Sequence, residues 1–368
     1  MTFWVVILLL IIVFAGGSAA YTATRFSRFG FVRRISGGRR FRGFLIGLLI
    51  LAAVFVPLYF IIGYMNTAVI LLHLAIFFLL CDFAAFIVKK IRKKPAKRYY
   101  AGVCAILITV AYFAAGAYFA FGVWEKDYAV SSEKLGCSLR VAMFADSHVG
   151  ATFDGDGFAR HLAEIQKTQP DLLIIAGDFV DDDTTREDMV KCCEALGRFE
   201  SRYGVFYASG NHDRGYFRYR DFGAADLEEK LLENGVTILS DEAVRVDELF
   251  YVIGRRDKSE STFGSGRAEI GELTSGLDPS KYMIVIDHQP ADYDAEAQSG
   301  VDLVLSGHTH GGQLLGLDLI MSLMHMNDML YGLKHMDNTD FIVTSGISDW
   351  ELIFKTGCRS EFVVVDVN

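Results

Sequence analysis

Long uncharged apolar stretches fill the first third of the chain and short ones fill the rest, and the two patterns predict different elements. Residues 1 to 124 contain uncharged runs at Met1 to Thr24, Gly43 to Cys81 and Tyr99 to Trp124. A membrane-crossing helix needs roughly 20 mostly apolar residues, and the first and last runs each supply one. The middle run is too long for a single crossing and carries Gly63-Tyr64-Met65-Asn66 near its centre, so it reads as a helical hairpin. Four transmembrane helices are expected, within a membrane domain at 1–124.

Glu125 to Leu139 reads as a polar linker, and 140–368 as a separate domain in which the hydrophobic pattern shortens. Val141 to Ala145, Leu172 to Ala176 and Val205 to Ala208 have the length and composition of buried strands. Between them, Phe158 to Thr168 and Asp188 to Phe199 repeat their apolar residues at helical spacing, with Met189, Cys192, Cys193 and Leu196 facing inward in the second. Such alternation predicts a layered α/β domain whose strands are largely parallel near its start. A helix at Asp226 to Asn234 precedes meander-like strands at Thr237 to Leu239, Ala243 to Val246 and Leu249 to Ile253. Met283 to Ile286, Leu303 to Leu305, Phe341 to Thr344 and Phe362 to Val367 read as later strands.

Charge divides the chain at the same place. Residues 1–124 carry fourteen Lys and Arg against one acidic residue, Asp82, a net +13; the remainder carries 22 basic and 44 acidic residues, a net −22. The fourteen cations fall in two short loops, Arg25 to Arg42 and Lys89 to Arg98, and short basic loops stay in the cytoplasm. The acidic domain is therefore expected outside the cytoplasm, on a multi-pass protein of the cell membrane with the lipid bilayer as a partner. A cleavable signal peptide would carry positive charge before its apolar run, and Met1-Thr2 carries none. The −22 balance excludes nucleic acid as a natural partner, because phosphate backbones demand a basic footprint. Asp82 is expected at a helix end, reaching interfacial water or a nearby lysine, and His73 as an interhelical hydrogen bonder. Cys137, Cys192, Cys193 and Cys358 are expected as free thiols, which suits a weakly oxidising habitat or a different topology.

The candidate chemistry lies at the ends of the short runs. RVAMFADSH, DLLIIAGD, VFYASGNHD, MIVIDH and LVLSGHTH deliver Asp146, His148, Asp178, Asn211, His288, His308 and His310. Carboxylate, imidazole and amide donors without a thiolate suit two divalent ions such as Mn, Fe, Zn or Co, rather than calcium or a closed structural zinc. Gly177, Gly210 and Gly307 are expected to let the chain turn sharply as it leaves each strand.

From Arg140 onward these blocks, DSH, GD, GNHD, H and GHTH in order, resemble the calcineurin-like binuclear metallophosphoesterases. The Gly311-Gly312-Gln313 that follows GHTH resembles the membrane-anchored bacterial branch. The resemblance implies a four-layer α/β/β/α sandwich. It implies one metal on Asp146, His148 and His310, a second on Asn211, His288 and His308, and Asp178 bridging them. Two ions roughly 3.5–4 Å apart clamp attacking and leaving oxygens and generate hydroxide near neutral pH. His212 matches the family's catalytic histidine, serving the leaving oxygen, with Asp213 orienting its ring.

Weaker candidates surround this set. Asp181, with Asp182 and Asp183, follows the GD block, and it falls where the family often has an acidic residue, although a solvated turn leading to a helix accounts for it better. Arg255 and Arg256 read either as a phosphate grip or as an ordinary surface pair. His161, His325 and His335 lack strand-end context and are read as non-ligands. Leu314 to Met336 holds Met321, Met324, Met326, Met329 and Met336; it reads as a mobile cap that admits an acyl chain or touches the bilayer, or as a helix packed into the core. The expected function is a membrane-anchored, manganese-type phosphoesterase, whose favoured substrate is a phospholipid or lipid-linked pyrophosphate. Phosphatase or phosphodiesterase action on soluble phosphoesters or nucleotides is the alternative. A non-catalytic membrane sensor or scaffold is the reading from another class.

Overall fold

A computed structural model describes residues 2–94, 96–215, 220–263, 266–325 and 327–368. The chain divides into two compact units, Met1–Gly116 and Ala117–Asn368. The first is helical, with α1 (Thr2–Phe26), α2 (Gly30–Ile35), α3 (Arg40–Arg92) and most of α4 (Tyr100–Phe121). The α3 helix breaks at Gly63, where φ is 77° and ψ 174°, a conformation that suits glycine alone. Asn66 Nδ2 donates to Ile62 O at 2.9 Å and Thr67 Oγ1 to Gly63 O at 2.8 Å, so the carbonyls at the break keep partners.

Among the described residues two helices, α3 and α4, are long and apolar enough to cross a membrane, against the four crossings expected. The expected second and third crossings both lie within α3, and the side chains before Val13 in the expected first crossing lie outside the described residues. Ala23, Leu51, Leu74, Phe78 and Ala105 form the centre of this unit. Asp82 pairs with arginines of the preceding loop rather than a nearby lysine, accepting from Arg28 Nη1 and from Tyr99 OH, each at 2.8 Å. His73 Nδ1 donates within its own helix, to Val69 O at 2.8 Å, while its ring stacks on Tyr112.

The second unit runs β1 (Val123–Val130), β2 (Leu139–Phe144), α5 (Gly155–Lys167), β3 (Leu172–Ala176), α6 (Arg186–Leu196), β4 (Val205–Ala208), α7 (Ala224–Glu233) and β5 (Val236–Ile238). It continues through β6 (Glu242–Val246), β7 (Phe250–Gly254), α8 (Glu260–Phe263), α9 (Ile270–Thr274), β8 (Tyr282–Ile286), α10 (Tyr293–Gln298) and β9 (Leu303–Ser306). It ends with α11 (Leu317–Leu323), β10 (Gly332–Met336), β11 (Thr339–Val343) and β12 (Ser360–Val367). One six-stranded sheet has the order β1-β12-β2-β3-β4-β5 and the other β10-β11-β9-β8-β7-β6. Strands β2 to β5 are parallel in sequence order, as are β7, β8, β9 and β11.

Side-chain alternation along the strands builds the layers. Val141, Met143 and Ala145, with Leu172, Ile174 and Ala176, face a core that also holds Val252, Ile284, Ile286, Leu303 and Leu305 of the other sheet. Ala142, Phe144, Leu173 and Ile175 point the opposite way, against Phe158, Leu162 and Ile165 of α5 and Met189, Cys192 and Cys193 of α6. Tyr251, Ile253, Met283 and Val285 cover the outer face of the second sheet with Ile270 and Tyr293. Helices therefore lie outside both sheets. The helices start where capping side chains allow: Asp154 accepts from Gly157 N ahead of α5, and Thr185 from Asp188 N ahead of α6.

One expectation about order fails. Val123–Val130, whose greater part was expected in a polar linker, is strand β1, parallel to β12 along its whole length from Val123↔Ser360 to Val130↔Val367. Its alternation of half-buried and exposed residues is that of an edge strand, and the charged side chains Glu125, Lys126 and Asp127 conceal the strand pattern in the sequence.

Candidate metal centre

All seven expected ligands lie just beyond strand ends: Asp146 and His148 after β2, Asp178 after β3, Asn211 after β4, His288 after β8, and His308 and His310 after β9. Five have positive φ, Asp146 at 55°, His148 at 35°, Asp178 at 50°, His308 at 70° and His310 at 48°. Such backbone costs energy in residues with a β-carbon and gathers at functional sites. Gly177 turns sharply, with φ at 81°. Gly210 and Gly307 serve a different purpose from the turn expected of them, which is room. A β-carbon on Gly210 would stand 2.2 Å from Asp178 Oδ1, and one on Gly307 would stand 2.5 Å from Asp146 Oδ2.

Among the described residues three groups of donors result, one of them His148, Asp181 and His212. Asp146, His148 and His310 bring ligand atoms within 4.8 Å of one another, and so do Asp178, His288 and His308. The Asp178 Oδ2 oxygen sits between these last two groups, 3.1 Å from His288 Nε2 and 3.7 Å from His148 Nε2. Asn211 is buried between Gly210 and His212, and His212 N donates to Asp178 Oδ1 at 2.8 Å.

The residues present fit cations. His148 Nε2 and His310 Nδ1 are buried without a hydrogen bond, a cost that a metal bond would remove. Outer partners fix the rings as they do for metal ligands: His148 Nδ1 donates to Asp181 Oδ2 at 3.2 Å, and His288 Nδ1 donates to Ala176 O at 2.8 Å. Burial, then the neighbouring His288, lowers His308 to about 3, and burial and His148 hold His310 well below its ordinary range. Both imidazoles are thus kept in the neutral form that ligates a cation. Burial pushes Asp146 up to about 6. Burial also opposes ionisation of Asp178, but His288 and His148 beside it outweigh that and hold it well below the carboxylate range.

His212 is oriented by Asp181 and not by Asp213. Its Nδ1 donates to Asp181 Oδ1 at 2.9 Å, so one carboxylate holds both His148 and His212. Asp213 turns inward, accepting from Phe179 N at 2.8 Å, Val180 N at 3.0 Å and Gly210 N at 2.8 Å, and thereby ties the loop after β3 to the loop after β4. Arg255 does not reach the centre either. It is buried, with Nη1 2.9 Å from Asp287 and 3.1 Å from Glu296, while Arg256 Nε donates to Ser240 Oγ. His161 lies against Phe153, and His335 pairs with Asp340.

A sixth strand end supplies what the sequence reading omits. After β11 the chain runs Thr344-Ser345-Gly346-Ile347-Ser348-Asp349-Trp350. Ile347 N donates to Ala145 O and Ser348 N to Asp146 O, bracing the first ligand loop from below. Buried Lys355 donates to Ser345 O at 2.6 Å and to Ser348 O at 2.9 Å, which holds this loop in shape. The Trp350 ring stands 5.3 Å from that of His212. FIVTSG has the same apolar-then-small pattern as the other five runs, but no ligand marks it.

Residues 139–312 match the family described as calcineurin-like phosphoesterase. The chain therefore contains a calcineurin-like metallophosphoesterase domain, the domain of metal-dependent hydrolases that use two divalent ions. An uncharacterized metallophosphoesterase of Helicobacter pylori is 29% identical over 312 residues, 78% of this chain and 81% of the relative. A transmembrane protein with metallophosphoesterase domain from Danio rerio is 28% identical over 64% of this chain, which spans 55% of that relative. Among solved structures, a dimetal phosphatase from Danio rerio aligns over 56% of this chain and 86% of its own at 14% identity, with a TM-score of 0.38.

Proposed function

We propose that the protein is a membrane-anchored phosphoesterase that cleaves a phosphate ester or pyrophosphate bond on the extracytoplasmic side. The paired donor groups, with His212 beside them, carry this reading. Asp146, His148 and His310 would hold one ion, Asn211, His288 and His308 the other, with Asp178 shared. When bound, the two ions polarise the phosphoryl group and acidify the attacking water. The chain's own part is positional. Asp181 holds His212 by Nδ1, and the opposite ring nitrogen, Nε2, would serve the leaving oxygen. The side-chain amide of Asn211 adds a dipole where charge develops.

Membrane anchoring is supported by the two apolar helices and by relatives named as transmembrane proteins. Counting α3 as two crossings that meet at Gly63, and α1 as another, gives four; the two basic loops then lie in the cytoplasm and the acidic unit outside. A lipid phosphoester is the favoured substrate because the anchor keeps the site near its source, with a soluble phosphoester the alternative.

The test is hydrolysis of a chromogenic phosphodiester by detergent-purified protein supplied with manganese. Turnover that a chelator abolishes and manganese restores is expected, whereas metal-loaded protein without turnover would leave only a binding role. His212→Ala is expected to lower turnover far more than bound metal, measured by elemental analysis; equal losses would remove its assigned part.

A further inference from the structure

The α11 helix inverts the usual order of a surface helix. Leu319, Ile320, Leu323 and Met324 are 62%, 53%, 71% and 65% exposed, Leu315 just before the helix is 69% exposed, and no α11 residue is buried. At helical spacing these four share one side, with Asp318 and Ser322 on the other. Asp318 is the one charged residue between Gly311 and Met324. Soluble proteins rarely leave such a contiguous apolar patch to water, so something of low polarity covers it.

The neighbouring residues indicate what does. Asp318, Leu319 and Ser322 line an open cleft of about 770 Å³ whose other walls include Phe119, Tyr331 and Arg359. Phe119 belongs to the last turn of α4, which Ser360 fastens to the catalytic unit through its Oγ, donating to Ala120 O at 2.9 Å. Tyr118 and Phe121 of the same turn are exposed. Leu319, at the margin of the apolar side, therefore faces the cleft together with Asp318 and Ser322, and Phe119 across it belongs to the end of a helix long and apolar enough to cross a membrane. The cleft also touches Gly311, the residue after His310.

We propose that α11 and this cleft rest in the headgroup–acyl boundary of a phospholipid bilayer, docking the catalytic unit on the membrane that α4 enters. The inference rests on reading α4 as a membrane span. A helix with one apolar side lies at that depth, and its binding grows with the apolar area it buries. Docked there, the last ligand turn meets a lipid-borne ester without the ester leaving the bilayer.

The experiment uses the full chain in phosphatidylcholine nanodiscs that include a phosphatidylcholine bearing a diazirine on one acyl chain. After irradiation, adducts are mapped by mass spectrometry. Adducts on residues 315–324 as well as on α4, and none on α5, are expected. Adducts on α4 with none on 315–324 overturn the docking surface and leave the anchor standing; no adducts on α4 overturn both. Cross-linking of 315–324 to a second copy in place of lipid also overturns it. The variant L319S/L323S/M324S should lose the 315–324 adducts, keep those on α4, and hydrolyse the soluble chromogenic ester unchanged in detergent. Adducts that persist in the variant count against the proposal, and if the variant does not fold, the map of the natural chain decides alone.

Discussion

The Asp181 carboxylate joins two imidazoles, which in the proposed function have different duties, one as a metal ligand and one toward the leaving group. Replacing it with Asn keeps the size but removes the charge that favours an N–H on both rings. Loss of such an outer partner costs about 10–100-fold in activity or metal affinity. Asp181→Asn should therefore lower turnover of the chromogenic ester and bound metal together. Asp213→Ala should instead lower the thermal unfolding midpoint, since it strands three backbone N–H donors, at about 1–3 kcal/mol each in a buried setting. A pure activity loss in Asp213→Ala, with full stability, would return the orienting role to it. The family resemblance offers Asp213 as the partner of His212, yet adjacent residues in a turn point apart, and Asp213 bonds backbone instead. The carboxylate that meets the ring comes from another strand end, a proximity that only the fold creates.

At the scale of elements, the ends of β7 and β8 are joined by charge rather than by apolar packing. Arg255, 1% exposed, bonds Asp287 and Glu296, and Arg267 donates to Asp287 and Asp292, directly beside His288. Burial, then the nearby Asp287, raises Glu296 well above the carboxylate range, so the ion pairs of Arg255 and Arg267 centre on Asp287. Breaking a buried pair from one side costs about 3–5 kcal/mol. Arg255→Met should lower the unfolding midpoint of the catalytic unit, with activity retained per folded molecule. Full stability with lost activity would restore Arg255 to a phosphate-binding role. The inner strands are readable because each is a short apolar run closed by glycine or a polar residue, whereas the edge strands β1 and β10 are not such runs. The loop after β11 has no sequence signature because its work is done by backbone N–H groups and a buried lysine, which leave no motif. Composition alone does not say which side of the leucine- and methionine-rich α11 helix meets protein.

For the whole molecule, the contrast between long and short apolar runs separates the membrane part from the catalytic part, and the resemblance to a family supplies the layer order. The charge asymmetry gives a testable orientation. A reporter active only outside the cytoplasm, fused after Asn368, should be active, and one inserted in the Arg25 to Arg42 loop silent; the reverse pattern would put the catalytic unit inside and accommodate its free cysteines. Edge strand β1 escaped the sequence reading because its partner lies more than two hundred residues away.

That partnership sets a clock on synthesis. Strand β12 lies between β1 and β2, antiparallel to the latter through Val363↔Met143 and its neighbours. A growing chain that has made both β1 and β2 therefore holds two strand edges with an empty slot between them until residues 360–367 emerge. Contacts of such sequence separation form late and slowly, and unpaired edges invite aggregation meanwhile. The helices ahead of β1, if inserted in the bilayer by then, would hold each nascent catalytic unit apart from its neighbours during that wait.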